Sequence, residues 1–364
     1  MLSWARDLAT TCDIPAFIGF NASSIAQFSF LYHIPFLLSS GQLNPDGTLT
    51  DVNQLQRLSG IPGVVDIPFS SVPWLGIDED RSESTFCGLA SMYDSVLDQL
   101  DCILFNSFTE MEKEAVEALV EETGRVKMAP VGPMLLLYSS CTTTAKGESP
   151  GIIHAGSKHV LPTVNHGEIR SAGGCLEWLE GRAKHSVLYI AFGTTAWLRR
   201  EDLNALARGI EASEVLFLWV VRQDLVRGHG SDNQSASCTA ASAIDNILPV
   251  DFLERTKGRA SFTSWAPQTR VLSHPAIGAF LTHGGWNSML EAISNGVPML
   301  LWPDFWDQKF HTQQAVEQWK VGLRVRIHSY CAAACKEKID KELTVHDHEL
   351  RHADAPLQLY DAAG

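Results

Sequence analysis

Short apolar runs alternate with amphipathic stretches along most of this chain. Residues 14–20, 101–106 and 126–133 read as buried strands in the first part. Residues 186–195, 215–222, 277–283, 297–302 and 321–327 do so in the second. Between them, helical spacing predicts a helix over 21–32 capped by Asn21 or Ser23, and one over 109–122 with Thr109 and Glu112 as a capping box. Further helices are predicted over 175–181 and 201–212, and one opens at Trp286. Strands separated by helices imply parallel sheets with helices on their faces. At the start, Leu2, Trp4, Ala5, Leu8 and Ala9 recur at helical spacing, which looks like the interior of a domain, so further structure is expected upstream. The proline- and glycine-rich residues 35–73 read as extended loop outside the core.

Periodicity fails over residues 138–173, where Ser, Thr, Gly, Pro and His dominate. This break divides the chain into a first α/β domain (1–137), a linker or loop (138–173), a second, doubly wound α/β domain (174–327) and a divergent tail (328–364). Ligands of such a domain are expected at the carboxyl ends of its strands.

Composition narrows the partners. The 364 residues carry a formal charge of −14, which repels polyanions and argues against nucleic acid. No apolar run reaches the roughly 20 residues of a membrane span. The N-terminus lacks the basic flank and apolar block of a signal peptide. The cysteines are scattered, with Cys331 and Cys335 the one close pair, and fit reduced thiols in a cytoplasmic monomer. The acidic triplet at 78–80 reads as solvated surface, and neither His154, His159 and His166 nor His346, His348 and His352 have a metal-site pattern. No metal is expected.

Residues 265–308 hold the most chemistry. An apolar strand ends at His283, Gly284 and Gly285, and Asn287 and Ser288 fall in the first turn of the helix that follows. Free amides and the positive end of the helix dipole make that turn attractive to a diphosphate. Glu291 shares a face with Asn287 and Ser288 and suits the hydroxyls of a ribose. Trp265 offers a face on which a base can stack, with the Ala266 backbone and Gln268 beside it in sequence. Asp307 and Gln308 follow another strand and suit the vicinal hydroxyls of a hexose. The strand before Gly193 and Thr194 also ends in a position suited to an anion.

In their order, WAPQ, HPAIGAFLTH, GWNS, LEAI, GVPML and DQ resemble the signature box of plant UDP-glycosyltransferases that act on small molecules. Further matches at CLEWLE, SVLYIAFG, FLWVVR and NSFTEMEKEAVEAL extend the resemblance from residue 1 to about 327. It implies a GT-B fold of two Rossmann-like domains, the first incomplete, with a UDP-sugar as co-substrate and no other cofactor. Trp265 would stack on uracil, Ala266 would bond it through the backbone, and Gln268 and Glu291 would hold the ribose. His283, Asn287, Ser288, Gly193 and Thr194 would take the phosphates; Trp286, Asp307 and Gln308 would meet the sugar, expected to be glucose. The reaction implied is transfer of the hexose to a hydroxyl of a small molecule, with inversion.

The chain departs from the family in several places. Gly284 stands where the family usually has Cys, and Thr194 where it has Ser. The histidine and aspartate that would activate the acceptor are expected upstream of Met1, so no catalytic residue is assigned and the chain reads as truncated at both ends. His33, after an apolar helix, is expected to pack or cap rather than replace them. The competing expectation is a UDP-sugar-binding protein without turnover. A dehydrogenase is disfavoured by the lack of a G-x-G-x-x-G turn.

Overall fold

The computed structural model describes residues 7–8, 10–14, 16, 18–53, 56–75, 82–94, 100–124, 127–135, 172–194, 196–222, 225–226 and 247–325. The acidic triplet at 78–80, nearly all of the 138–173 segment, the cysteine pair, the two histidine groups and the 328–364 tail lie outside them. The described residues form two compact units. The first takes in those up to 135 together with 284–290 and 303–320; the second takes in 172–283, 291–302 and 321–325.

The elements run β1 (Ile18–Asn21), α1 (Ile25–Tyr32), α2 (Ile34–Ser39), β2 (Arg57–Leu58), β3 (Ile67–Pro68), α3 (Ser82–Asp94), β4 (Cys102–Phe105), α4 (Thr109–Thr123) and β5 (Lys127–Pro130). They continue with α5 (Ala172–Leu179), β6 (Val187–Ala191), α6 (Arg200–Ser213), β7 (Leu216–Val220), α7 (Phe252–Arg255), β8 (Ala260–Thr263), α8 (Gln268–Leu272) and β9 (Ile277–Thr282). Last come α9 (Trp286–Ser294), β10 (Met299–Leu301), α10 (Asp307–Gln313) and β11 (Gly322–Arg324).

In the first unit β1, β4 and β5 form a parallel sheet in that order. Ile18 and Phe20 of β1 are each more than half exposed. The centre of this unit is α1, whose Ile25, Ala26, Phe28, Phe30 and Leu31 are all buried. A helix buried on every side cannot satisfy its first amides with water, so protein acceptors must do it. Ser24, rather than Asn21 or Ser23, is the cap, its Oγ accepting from Gln27 N at 3.0 Å. Asn21 instead holds the preceding turn, accepting from Ser23 N at 2.9 Å.

The remaining amides explain why the expected capping box on α4 is absent. Glu112 leaves helical geometry (φ −124°, ψ 28°), and α4 begins after Phe108 with no side-chain cap. The Glu112 carboxylate, buried, accepts from Ile25 N and Ala26 N, both at 3.0 Å, and from the Ser107 hydroxyl. The demand at a buried helix end outweighs the small gain of a surface box.

Residues 35–73 also differ from expectation. Pro35 sits in the first turn of α2, where its missing N–H costs nothing, and β2 and β3 pair antiparallel. Leu37, Leu43, Leu49, Leu58, Ile61, Ile67 and Val72 join the core of the unit. Trp74 is buried there too, donating its indole N–H to Gly47 O at 3.0 Å.

The second unit carries a six-stranded sheet, β11-β10-β9-β6-β7-β8, parallel throughout. Every residue of β6, β8, β9 and β10 is buried, as expected of strands covered on both faces. Helix α6 shows how a face is covered: Leu203, Leu206, Ala207 and Ile210 form a buried stripe at positions i, i+3, i+4 and i+7. From β6 the chain proceeds to β7 and β8 on one side, then crosses to β9, β10 and β11 on the other. The order therefore reverses between β6 and β9. Among the described residues no helix is long and apolar enough to cross a membrane.

Replacing Glu112 by Ala leaves two buried amides without acceptors, and should lower stability by about 3 kcal/mol as read from the urea midpoint. Burial, against its hydrogen bonds, raises the pKa of Glu112. The folded state then keeps a proton that the unfolded chain has lost, so stability relative to Glu112→Gln should fall as pH rises above about 4.3. A parallel pH dependence of the two proteins would contradict this.

Candidate functional site

The strand order reverses between β6 and β9, and the carboxyl ends at such a reversal are the place where doubly wound sheets take ligands. Ala191 of β6 pairs with Thr282 of β9, so the residues just beyond, Gly193 and His283, meet. Gly193 adopts φ 61°, and a Cβ on it would stand 2.5 Å from His283 Cε1. Only glycine allows this approach. His283 is buried, with Nδ1 3.3 Å from Thr282 Oγ1. Thr194 is exposed, and the Arg222 guanidinium fixes its turn by donating to Thr194 O and Ala196 O, both at 2.6 Å.

A second cluster of the same unit follows β8. Buried Thr263 anchors the turn, its hydroxyl donating to Trp265 O at 2.7 Å, while the Trp265 ring stays 52% exposed. Ala266 is buried beyond it. Gln268 opens α8 and donates through its amide to the Glu291 carboxylate. Tyr189 OH lies 3.4 Å from Gln268 Oε1, and Thr269 donates to Glu291 Oε1 at 3.4 Å. Burial first, and the nearby Glu291 second, push the Tyr189 hydroxyl far up in pKa, so it remains a neutral donor.

The other nominated residues belong to the first unit. Gly284, at φ 82°, takes a conformation that glycine adopts without strain where the family's usual Cys would resist. Trp286 is buried, donates its indole N–H to Asn106 O at 2.7 Å and packs against His311 and Trp319. Asn287 is exposed and accepts from Asn106 Nδ2 at 3.3 Å, whereas Ser288 is buried. Asp307 and Gln308 form the first turn of α10. Asp307 is part-exposed; Gln308 is buried, its Oε1 accepting from Asp304 N at 3.0 Å. Among the described residues, no three His, Cys, Asp or Glu side chains gather as a metal site.

The UDP-glucoronosyl and UDP-glucosyl transferase family matches residues 155–345, just over half of the chain. The chain belongs to this family. Linamarin synthase 1 of Manihot esculenta is 30% identical over 331 residues, covering 89% of this chain and 61% of its own length. UDP-glycosyltransferase 1 of Pueraria montana var. lobata is 35% identical over 270 residues, covering 73% of this chain and 49% of its own. The chain thus spans roughly half to three fifths of these relatives. Among solved structures, that of Phytolacca americana UGT2 with UDP-2fluoro-glucose and pterostilbene has a TM-score of 0.70 at 26% identity, over 96% of this chain and 67% of that one. The fold is GT-B, as the resemblance implies, with parallel α/β sheets.

In this member of the family, the structure brings together Gly193 with His283, and Gln268 with Glu291, in the second unit. It puts Trp286, Asn287, Ser288, Asp307 and Gln308 in the first. Helix α9 begins in one unit and ends in the other, so Asn287 and Glu291 have different neighbours despite their helical spacing. Sequence reading missed Asn106, whose position just past the carboxyl end of β4 was its only signal. His33 packs as expected, with Nδ1 2.7 Å from Ser29 O and Nε2 2.8 Å from Glu122 Oε2.

The Gly193–His283 approach can be checked by a double-mutant cycle. Gly193→Ala alone should cost about 1–3 kcal/mol, from overpacking and the positive φ. Combining it with His283→Ala should recover about 1 kcal/mol or more of coupling in the thermal unfolding data; strict additivity would contradict the contact.

Proposed function

We propose that the chain binds a UDP-sugar and transfers its hexose, glucose, to a hydroxyl of a small molecule with inversion. The observation that carries this reading is the Gly193–His283 approach at the reversal of strand order. Close backbone access and an imidazole occur where a doubly wound sheet accepts a nucleotide. Family membership and the names of its relatives support it. Uracil would stack on the exposed Trp265 and bond the Ala266 backbone. The coupled Gln268 and Glu291 would hold the ribose, since an amide donor already locked to a carboxylate presents a fixed pair of groups to vicinal hydroxyls.

Gly193, Thr194, His283, Asn287 and Ser288 would take the phosphates, and Trp286, Asp307 and Gln308 the sugar. The engaged N–H of Trp286 and the engaged carbonyl of Gln308 leave Asp307 as the freest acceptor of that set. Neutral amides and His283 stand where a cation would otherwise balance the diphosphate, so we read the reaction as independent of metal and of any other cofactor. Residues 1–137 would serve the acceptor and 174–327 the donor, in a cytoplasmic monomer. A phenol or terpenoid alcohol fits the chemistry: the 7-deoxyloganetin glucosyltransferase of Gardenia jasminoides is named for a small-molecule acceptor.

Glycosyl transfer from UDP-glucose to a panel of phenols, with UDP calorimetry alongside, tests the proposal. Turnover unaffected by chelator is expected, and binding without turnover would favour a binding protein. Trp265→Ala should weaken UDP by about 1–3 kcal/mol if the ring stacks on uracil; unchanged affinity would remove that role.

A further inference from the structure

The roles assigned above leave out Asn106, which lies just past the carboxyl end of β4 in the first unit. Both main-chain and both side-chain polar atoms of this residue are engaged. Its N–H donates to Asn21 O at 3.0 Å, and its C=O accepts from the Trp286 indole N–H at 2.7 Å. Its Oδ1 accepts from Met134 N at 2.9 Å, and its Nδ2 donates to Asn287 Oδ1 at 3.3 Å. Met134, Trp286 and Asn287 all belong to the same unit as Asn106.

The segment that carries Met134 is held independently. Val131 N donates to Phe105 O at 2.9 Å and Gly132 N to Ser107 O at 2.8 Å, which lays the chain after β5 alongside the end of β4. A Cβ on Gly132 would stand 2.5 Å from Asn106 Oδ1 and 2.7 Å from Ser107 N, so a side chain there would displace the amide.

These bonds have a direction. A main-chain N–H can only donate, so Met134 N fixes Asn106 Oδ1 toward itself and Asn106 Nδ2 away from it. That Nδ2 can only donate in turn, so the Asn287 amide points its Oδ1 at Asn106. The Nδ2 of Asn287, an exposed residue, is left facing away. Phosphate oxygens only accept. In this sense Asn287 offers them a donor, whereas the reversed amide would offer a carbonyl oxygen that repels an anion. An exposed bond between two amides competes with water and adds little to stability. The direction it imposes is what distinguishes it.

We propose that Asn106 is a positioning residue for phosphate binding, setting the sense of the Asn287 amide so that Nδ2 meets the anion. The proposal rests on the UDP-sugar reading, in which Asn287 takes a phosphate. Asn106 touches no substrate. It acts through the Asn287 side chain, while its carbonyl anchors Trp286 at the start of α9. Donation runs from Met134 N to Asn106, from Asn106 to Asn287 and from Asn287 to phosphate, and each bond strengthens the next.

Calorimetry with UDP and with uridine on the 364-residue chain tests this. Asn106→Ala should weaken UDP by about 10-fold, as for one hydrogen bond to a charged group, and leave uridine, which carries no phosphate, unchanged. Asn106→Asp keeps an acceptor for Met134 N but has no donor for Asn287, whose amide then turns its Nδ2 inward. UDP should weaken in it by about 30-fold or more. In an Asn287→Ala background, Asn106→Ala should have no further effect, and Asn106→Asp should keep only the part due to its added charge. If Asn106→Ala does not fold, Asn106→Asp, which retains the Met134 bond, decides by the same comparison. Unchanged UDP affinity in the Asn106 variants, equal losses for UDP and uridine, or losses of the same size with and without Asn287 would overturn the positioning role and leave the UDP-sugar reading standing. Failure of the unaltered chain to bind UDP would overturn both.

Discussion

Parallel pairing is the constraint from which the rest of this structure follows. Every strand of the six-stranded sheet runs the same way, so each return to its starting edge needs a crossover, and the connections leaving the carboxyl edge collect together. Reversal of strand order between β6 and β9 parts two of those connections. The short turn after β6 and the start of the segment after β9 then meet through Gly193 and His283. Larger side chains at residue 193 would close the space that this topology opens.

Buried polar groups set the second constraint. In the first unit a helix end, a carboxylate, several hydroxyls and an imidazole are removed from water together. Each must find a partner inside the protein, because an unpaired buried donor costs about 1–3 kcal/mol. Glu112 answers this for the start of α1, and Asn106 does so by bonding Trp286, Asn287 and Met134 at once. His311 meets it at Nε2, 3.1 Å from Ser23 Oγ.

Much of this was legible in the sequence, because parallel α/β units leave short continuous apolar runs for the strands and period-3.6 signals for the helices. The five strands predicted after 174 fell within a few residues of those observed, whereas β8 was missed, and the family could be read from residues 265–308. Long-range hydrogen bonding was not legible. Nothing local distinguishes a Glu112 that caps its own helix from one that caps another 87 residues away. The apolar residues of 35–73 were obscured by prolines and glycines, which signal turns whether or not the turns are buried. Asp307 and His311 stand four apart, a spacing that suggests an interaction, but Ser23 is 288 positions from His311 and carries no such mark.

The strand β1 has a consequence of a different kind. Among the described residues it has a neighbour on one side only, and its Ile18 and Phe20 project more than half exposed. An open edge with an apolar face is a template for another strand, whether the same chain or another supplies it. The formal charge of −14 acts in the opposite direction, holding copies apart at low ionic strength. Salt screens that repulsion and leaves the backbone pairing of a strand edge untouched, so the two respond differently to ionic strength.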